Sequence, residues 1–287
     1  MVHEEGHFRT HDGLELYRQA WLPEGEPRAN LAVIHGVGEH SGRYAELAAW
    51  FNDAGYAIYT FDHRGHGKSP GQRGHIDAWS DFREDVRVFL GQVREVSPDL
   101  PLFLVGHSMG ALIVLDYGLR YGEQDSGELH SLQGIVASAP PLDWGDSVSP
   151  ITIFLGKALS SVLPRMQMSS GLDAAGLSHD EEVVEAYRSD PLVHGLVSPR
   201  FGAEMDRTMQ ATLAAAESWP ARMPLLIIHG CADPICPPEA SRHFFERAGA
   251  EDKVRHEYAG FLHESFNEVG REQVFEDLKT WLEAHRA

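Results

Sequence analysis

Short continuous apolar runs recur along the chain, separated by stretches with helical spacing of apolar residues. Leu31-Ala32-Val33-Ile34, Tyr56-Ala57-Ile58-Tyr59-Thr60-Phe61, Leu102-Phe103-Leu104-Val105, 132–137 and Pro224-Leu225-Leu226-Ile227-Ile228 are uniformly apolar rather than alternating. That is the pattern of parallel strands covered on both faces. An earlier strand is expected over Leu14–Tyr17 with Ala20-Trp21, and a last one over 254–258. Between them lie helical patterns. Residues 43–54 read as a helix closed by Gly55, and Phe82, Val86, Phe89, Leu90 and Val93 fall on one helical face. The run Ala111–Tyr117, apolar except at Asp116, reads as a buried helix, and 269–285 as a closing helix. Alternating strands and helices predict an α/β protein with a mostly parallel sheet.

The alternation breaks over 141–220. Pro140-Pro141 opens this stretch and Trp219-Pro220 closes it. Its pattern is helical, without a convincing strand. It is expected to be a helical cap, or lid, inserted into a core domain made of 1–140 and 221–287. It would sit above the C-terminal ends of the strands, where open α/β sheets bind ligands. Ile151, Phe154, Leu155, Ala158, Leu159, Val162 and Leu163 share one helical face of the insertion. Most such stripes are core, but this one has little around it to cover it. Phe154 and Leu159 are therefore candidates for an acyl-facing or lipid-facing surface.

Composition narrows the classes. The chain has 287 residues, 43% hydrophobic, with a net charge of −19 and lysine only at 68, 157, 253 and 279. This balance argues against a nucleic-acid partner and against electrostatic docking on anionic lipid. Apolar runs stay short of a membrane span. The N-terminal residues are acidic and polar, unlike a secretory leader. Cys231 and Cys236 are the only cysteines, so no disulfide framework is expected, and a reducing cytoplasm is favoured.

The chemistry centres on Gly106-His107-Ser108-Met109-Gly110, set between an apolar strand and an apolar helix. Gly-x-Ser-x-Gly in that context is a nucleophile elbow, which presents the serine hydroxyl at a helix N-terminus. A nucleophilic serine needs a base, and the base needs an orienting acid. Asp233 and His263 each follow a strand, in the chain order Ser, Asp, His expected of such an elbow. Asp143 also follows a strand and competes for the acid role. The loop His35-Gly36-Val37-Gly38-Glu39-His40 after Ile34 would bring the Val37 N–H beside that of Met109 as an oxyanion hole. His107 reads as a packing residue, and Asp62 and Arg64 as groups bonded to local backbone. His63/His66 and His3/His7/His11 lack the carboxylate or cysteine pattern of a metal site, so neither metal nor cofactor is expected. Cys231 and Cys236 flank Asp233, where they read as loop packing or as a free thiol near the site.

The chain resembles the monoacylglycerol lipases of the α/β-hydrolase fold. The resemblance rests on His35–Tyr44, Phe61–Ser69, Gly106–Gly110, Ala186–Val193 and Ala232–Cys236. It implies Ser108, Asp233 and His263 as a catalytic triad and Val37 and Met109 as oxyanion donors. It also implies Glu39 and Arg43 near a glycerol pocket, Tyr187 on the alcohol side of the lid, and Cys236 near the triad. The substrate would be a small-molecule lipid ester, with passing contact between lid and lipid aggregates. Animal members carry a second histidine three residues after the catalytic one, where this chain has Phe266. Lysophospholipases and general carboxylesterases share most of these motifs. A non-catalytic relative would usually lack one of the three residues, and a dehalogenase or epoxide hydrolase would want a carboxylate at position 108.

Overall fold

The computed structural model describes residues 1–122, 132–145 and 150–286. Its main sheet has eight strands, in the order β1 (Val2–Arg9), β2 (Glu15–Leu22), β4 (Tyr56–Phe61), β3 (Ala29–Ile34), β5 (Leu102–His107), β6 (Leu132–Ser138), β9 (Leu225–Gly230) and β10 (Lys253–Tyr258). β3 (Ala29–Ile34), β4 (Tyr56–Phe61), β5 (Leu102–His107) and β9 (Leu225–Gly230) are buried at every position. β6 (Leu132–Ser138) is nearly so. These are the uniformly apolar runs, and they pair in parallel. β10 (Lys253–Tyr258) joins β9 in parallel at one edge.

At the other edge β1 (Val2–Arg9) and β2 (Glu15–Leu22) form an antiparallel hairpin, and β2 pairs antiparallel with β4. β1 is absent from the hydrophobic pattern because it lies at the sheet edge. Only Phe8 of its eight residues is buried. A charged edge strand also discourages pairing with another chain.

One face of the sheet is covered by α1 (Ala45–Asp53) and α8 (Arg271–Ala284), through Phe51, Phe275, Leu278 and Leu282. The other is covered by α2 (Ser80–Val96), α3 (Met109–Gly122) and α7 (Pro238–Arg247). The expected helix over 43–54 is divided. Ser41–Tyr44 forms a 3-10 turn, capped by the His40 ring accepting the Gly42 N–H at 3.1 Å, and α1 follows.

Between β6 and β9 come α4 (Pro150–Val162), β7 (Met168–Ser169), α5 (Glu181–Ser189), β8 (Leu196–Val197) and α6 (Pro199–Ala214). The stretch is mainly helical, as expected, but β7 and β8 pair antiparallel. Two-residue strands are too short to show alternation in a sequence. Ser198 caps α6, its Oγ accepting the Phe201 N–H at 3.2 Å, and Pro199 occupies the first turn, where its missing N–H costs nothing.

The loops after β3, β5, β6, β9 and β10 all emerge at one end of the sheet, because these strands run parallel. Ser108, Asp233 and His263 lie in three of them.

Candidate active site

Ser108 sits at φ +53°, one of two non-glycine residues among those described with positive φ. The sharp turn between β5 and α3 imposes this conformation. A Cβ on Gly106 would lie 2.3 Å from the Gly110 carbonyl oxygen, and one on Gly110 would lie 2.1 Å from that of Ile34. Glycine is thus required at both positions for strand, helix and neighbouring loop to close. The Ser108 N–H donates to the Ser138 carbonyl at 2.9 Å, which fixes the elbow to β6.

His263 bridges the other two groups. Its Nε2 is 2.9 Å from Ser108 Oγ, and its Nδ1 is 2.8 Å from Asp233 Oδ2. All three residues are buried. Asp233 is acceptor-only, so Nδ1 carries the imidazole proton and Nε2 is free to accept that of Ser108. Asp233 Oδ1 accepts the Ile235 and Cys236 N–H groups at 2.8 and 2.9 Å. Burial would push the Asp233 carboxyl up, but His263, His229 and these N–H groups hold it well below the usual carboxylate range. Burial likewise opposes charging His263, yet the Asp233 carboxylate beside it raises its proton affinity well above the ordinary imidazole value.

The sequence reading did not single out His229, the penultimate residue of β9. It is fully enclosed, with Nε2 3.2 Å from Asp233 Oδ2 and 3.0 Å from the Cys236 carbonyl oxygen. Both partners are acceptors, so Nε2 carries a proton and donates. Its Nδ1 meets Ser241 Oγ at 2.7 Å. The only sequence signal was a histidine in a strand four residues before the acid. Replacing His229 with leucine removes one donor from a buried carboxylate, an interaction of about 1.5–3 kcal/mol. The expected result is a kcat lower by roughly 10- to 100-fold at near-constant KM, measured by initial rates.

Met109 opens α3, so its N–H is one of those a helix leaves without an internal partner. Across from it runs the loop after β3, which Gly36 lets approach closely: a Cβ there would lie 3.1 Å from Ser108 Cβ. Three contacts fix this loop. The Gly36 N–H donates to Glu39 Oε1 at 2.6 Å, His35 Nδ1 is 2.7 Å from the Gly36 oxygen, and the His194 N–H donates to the Gly38 oxygen at 2.9 Å. His35 of this loop meets His63 and His66 in a cluster of buried, neutral imidazoles whose proton affinities burial lowers.

Glu39 and Arg43, expected near a glycerol pocket, bond chiefly to protein. Arg43 donates to Glu39 Oε2 at 2.7 Å and bidentately to Glu264 at 2.6 and 2.7 Å. Its guanidinium lies 4.8 Å from the centre of the Tyr187 ring. Glu39 Oε1 also accepts the Tyr44 hydroxyl at 2.9 Å. Burial would raise the Glu39 carboxyl, but Arg43 holds it down at about 2.

Two cavities adjoin Ser108. A small one, about 10 Å³, is lined by Glu39, Tyr187, Glu264, His107, Leu172 and Leu177 among others. It has room for about one water molecule. Arg43 does not line it. The larger, about 590 Å³, runs past Val37, Trp144, Leu172, Phe201, Met205 and Cys236. Both reach Ser108 and Val37.

Of the remaining candidates, Asp143 is exposed and accepts the Gly145 N–H at 3.2 Å, with no bond to His263. His107 packs 4.9 Å from the His263 ring; burial, then the charge of His263, lowers its proton affinity to about 4. Phe266 is buried against Phe275. Asp62 accepts the Lys68 N–H from its own loop, as expected, but also the Ser41 N–H from 21 residues away. Arg64 differs: it pairs with Asp85 and Asp12 rather than with local backbone. Cys231 is exposed; Cys236 is buried, and burial raises its thiol pKa, so it stays protonated.

The Phe154 side chain lies outside the described residues. Leu159 is half-buried and lines neither cavity; the apolar wall comes from α6 instead. Among the described residues two clusters have metal-ligand chemistry, Asp233/Cys236/His263 and His11/Asp12/Asp85. In the first, His263 already bonds to Asp233 through Nδ1 and to Ser108 through Nε2. In the second, the Arg64 guanidinium bonds both carboxylates and supplies the positive charge.

The sequence family described as serine aminopeptidase, S33 matches residues 25–270. A monoacylglycerol lipase of Mycolicibacterium smegmatis is 36% identical over 286 residues, covering 98% of this chain and 97% of that protein. The chain belongs to the monoacylglycerol lipase family. The crystal structure of the Paleococcus ferrophilus monoacylglycerol lipase superposes with a TM-score of 0.83 at 34% identity, over 95% of this chain and all of that one. A soluble variant of the Saccharomyces cerevisiae monoglyceride lipase, in complex with a substrate analog, superposes with a TM-score of 0.88 at 26% identity, over 100% of this chain and 97% of that one. This family member has the α/β-hydrolase fold and is a serine ester hydrolase. No helix among its described residues is long and apolar enough to cross a membrane.

Proposed function

We propose that this protein hydrolyses monoacylglycerols through an acyl-enzyme on Ser108. The observation that carries this reading is the Ser108–His263–Asp233 hydrogen-bond chain between a large apolar cavity and a very small one that includes Glu39, Tyr187 and Glu264 in its lining. His263 Nε2 takes the Ser108 proton as Oγ attacks the ester carbonyl. Asp233 stabilises the imidazolium that forms. The N–H groups of Met109 and Val37 receive the oxyanion. His263 then protonates the departing glycerol oxygen, and the bond from carbonyl carbon to that oxygen breaks. Water, deprotonated by the same nitrogen, releases the fatty acid.

The cavities set the preference. The large one suits a single acyl chain. The small one, about the size of a water molecule in this structure, has to widen to admit glycerol; Glu39, Tyr187 and Glu264 in its lining then offer polar groups to the hydroxyls and leave no space for further chains. A site that hydrogen-bonds hydroxyls rejects analogues lacking them. Initial rates on mono-, di- and triacylglycerols, a lysophospholipid and matched methyl esters test this. Monoacylglycerols are expected to be fastest; methyl esters of equal kcat/KM would overturn glycerol recognition.

Residues 141–220 form the lid in this reading. Val162 and Leu163, at the end of the α4 stripe, are 75% and 49% exposed, and Met166 is exposed beside them. With a net charge of −19, contact with lipid aggregates rests on such apolar groups. Val162→Ser with Leu163→Ser is expected to raise KM for emulsified long-chain substrate alone. A parallel change for a dissolved short-chain ester would refute the contact.

A further inference from the structure

A second cavity, about 330 Å³, lies next to the large one that reaches Ser108. Leu142, Met209 and Leu213 line it, and both cavities share Asp143 and Trp144. Helix α6 runs along the pair. Phe201 and Met205 line the first cavity, and Met209 and Leu213 line the second. Spaced four apart, these residues fall along one face of the helix, about 6 Å from one to the next. The Trp144 indole Nε1–H donates to Asp206 Oδ1 at 2.9 Å. Asp206 lies between Met205 and Met209, so the indole is tethered where one cavity gives way to the other. The tether is itself held. Asp206 is buried, and its Oδ2 takes Lys157 Nζ of α4 at 2.6 Å and Gln210 Nε2 at 3.0 Å.

We propose that Trp144 is a specificity-determining residue: its indole is the end wall of the acyl cavity and sets the longest acyl chain the enzyme accepts. The proposal rests on the reading that the 590 Å³ cavity holds the acyl chain. Asp206 positions the indole through its bond to Nε1. Removing the ring joins the cavities and adds about half as much volume again to the acyl site. The added wall is apolar on the side of Leu142, Met209 and Leu213, so it accepts further methylenes.

The test uses p-nitrophenyl esters and monoacylglycerols in a graded series from butyryl to behenoyl, each rate divided by that of the butyryl ester for the same variant. Wild-type kcat/KM is expected to rise with chain length and then fall. Trp144→Ala should move the fall to longer chains. The long-to-medium ratio should increase about tenfold, since each newly buried methylene favours binding about fourfold. Trp144→Leu should move it less in the same direction, and serves if the alanine variant does not fold. Leu213→Trp added to either variant refills the second cavity and should restore the wild-type limit. An unchanged profile in a folded Trp144 variant, or equal losses at every chain length, overturns the partition. Gly202→Leu separates this from failure of the underlying reading. Gly202 lines the large cavity from α6, and a Cβ there meets nothing within 4 Å. That variant should lose long-chain esters selectively; if it does not, the cavity is not the acyl site. The p-nitrophenyl series carries no glycerol, so a shift there stands whatever the preference for the alcohol.

Discussion

Ser108→Ala is expected to fold normally and to lose roughly 10³- to 10⁶-fold in kcat, because the covalent route disappears. The serine contributes little to the fold through its hydroxyl, which bonds chiefly to His263. The strained backbone at φ +53° comes from the elbow, and alanine inherits it unchanged. Wild type should react with a fluorophosphonate probe and the variant should not. Labelling that persists in Ser108→Ala would remove this residue as nucleophile. Matching circular dichroism and melting temperature would show that the loss is chemical.

Asp233→Asn should cost about 10⁴-fold in kcat. The amide cannot accept at every contact the carboxylate serves. Two backbone N–H groups converge on Oδ1 and two imidazoles on Oδ2, so two neighbours meet an N–H₂ group instead, and the backbone N–H groups hold the remaining oxygen on their side. His263 then loses the partner that fixes its Nδ1 proton. Asp143→Asn, on an exposed side chain, should change little; the reverse ranking would transfer the acid role to Asp143. The pH profile carries the same information. Protonated His263 cannot accept the Ser108 proton, so kcat/KM falls as pH falls through the His263 pKa. In wild type the Asp233 carboxylate raises that pKa against the cost of burial, so the fall begins above the ordinary histidine range. Removing the charge lets burial dominate, and the residual activity of Asp233→Asn should extend to lower pH.

The central sheet was legible because its strands are buried on both faces, which leaves a continuous apolar signal. Ser108 and Asp233 were legible because each follows such a strand in a loop of characteristic residues, while His263 follows the half-buried edge strand β10 and was legible from its place after Asp233 in chain order. β1 was not, since an edge strand buries only Phe8 and its charges face solvent. β7 and β8 were too short to signal anything. Arg64 resembled a turn residue, and its partners Asp12 and Asp85 come from distant segments that spacing does not reveal. Glu39 and Arg43 show the limit most clearly. Their residue types suit a polar ligand, but Glu264 lies 221 residues from Arg43, and only the folded chain shows the guanidinium bound to it. His229 escaped notice for the same reason: its value lies in facing Asp233 from inside the sheet. The α4 stripe had helical spacing, yet spacing alone does not say which end is covered. Val162 and Leu163 prove exposed, while Leu159 is half-buried.

The Glu39–Arg43–Glu264 triad has a consequence for how the protein responds to ionic strength. Most of its 43 acidic and 24 basic residues face water, where salt at about 0.1 M screens attraction and repulsion between charges more than about 10 Å apart. Self-association and solubility of so acidic a chain therefore follow the salt concentration. The guanidinium that joins the loop carrying Val37 to the loop carrying His263 is only 10% exposed, and the two carboxylates on it are about 4% exposed. Mobile ions barely enter that space. The surface is thus a salt-responsive shell around an insulated centre, and the spacing between oxyanion donors and base is kept by charges that the surrounding electrolyte scarcely reaches.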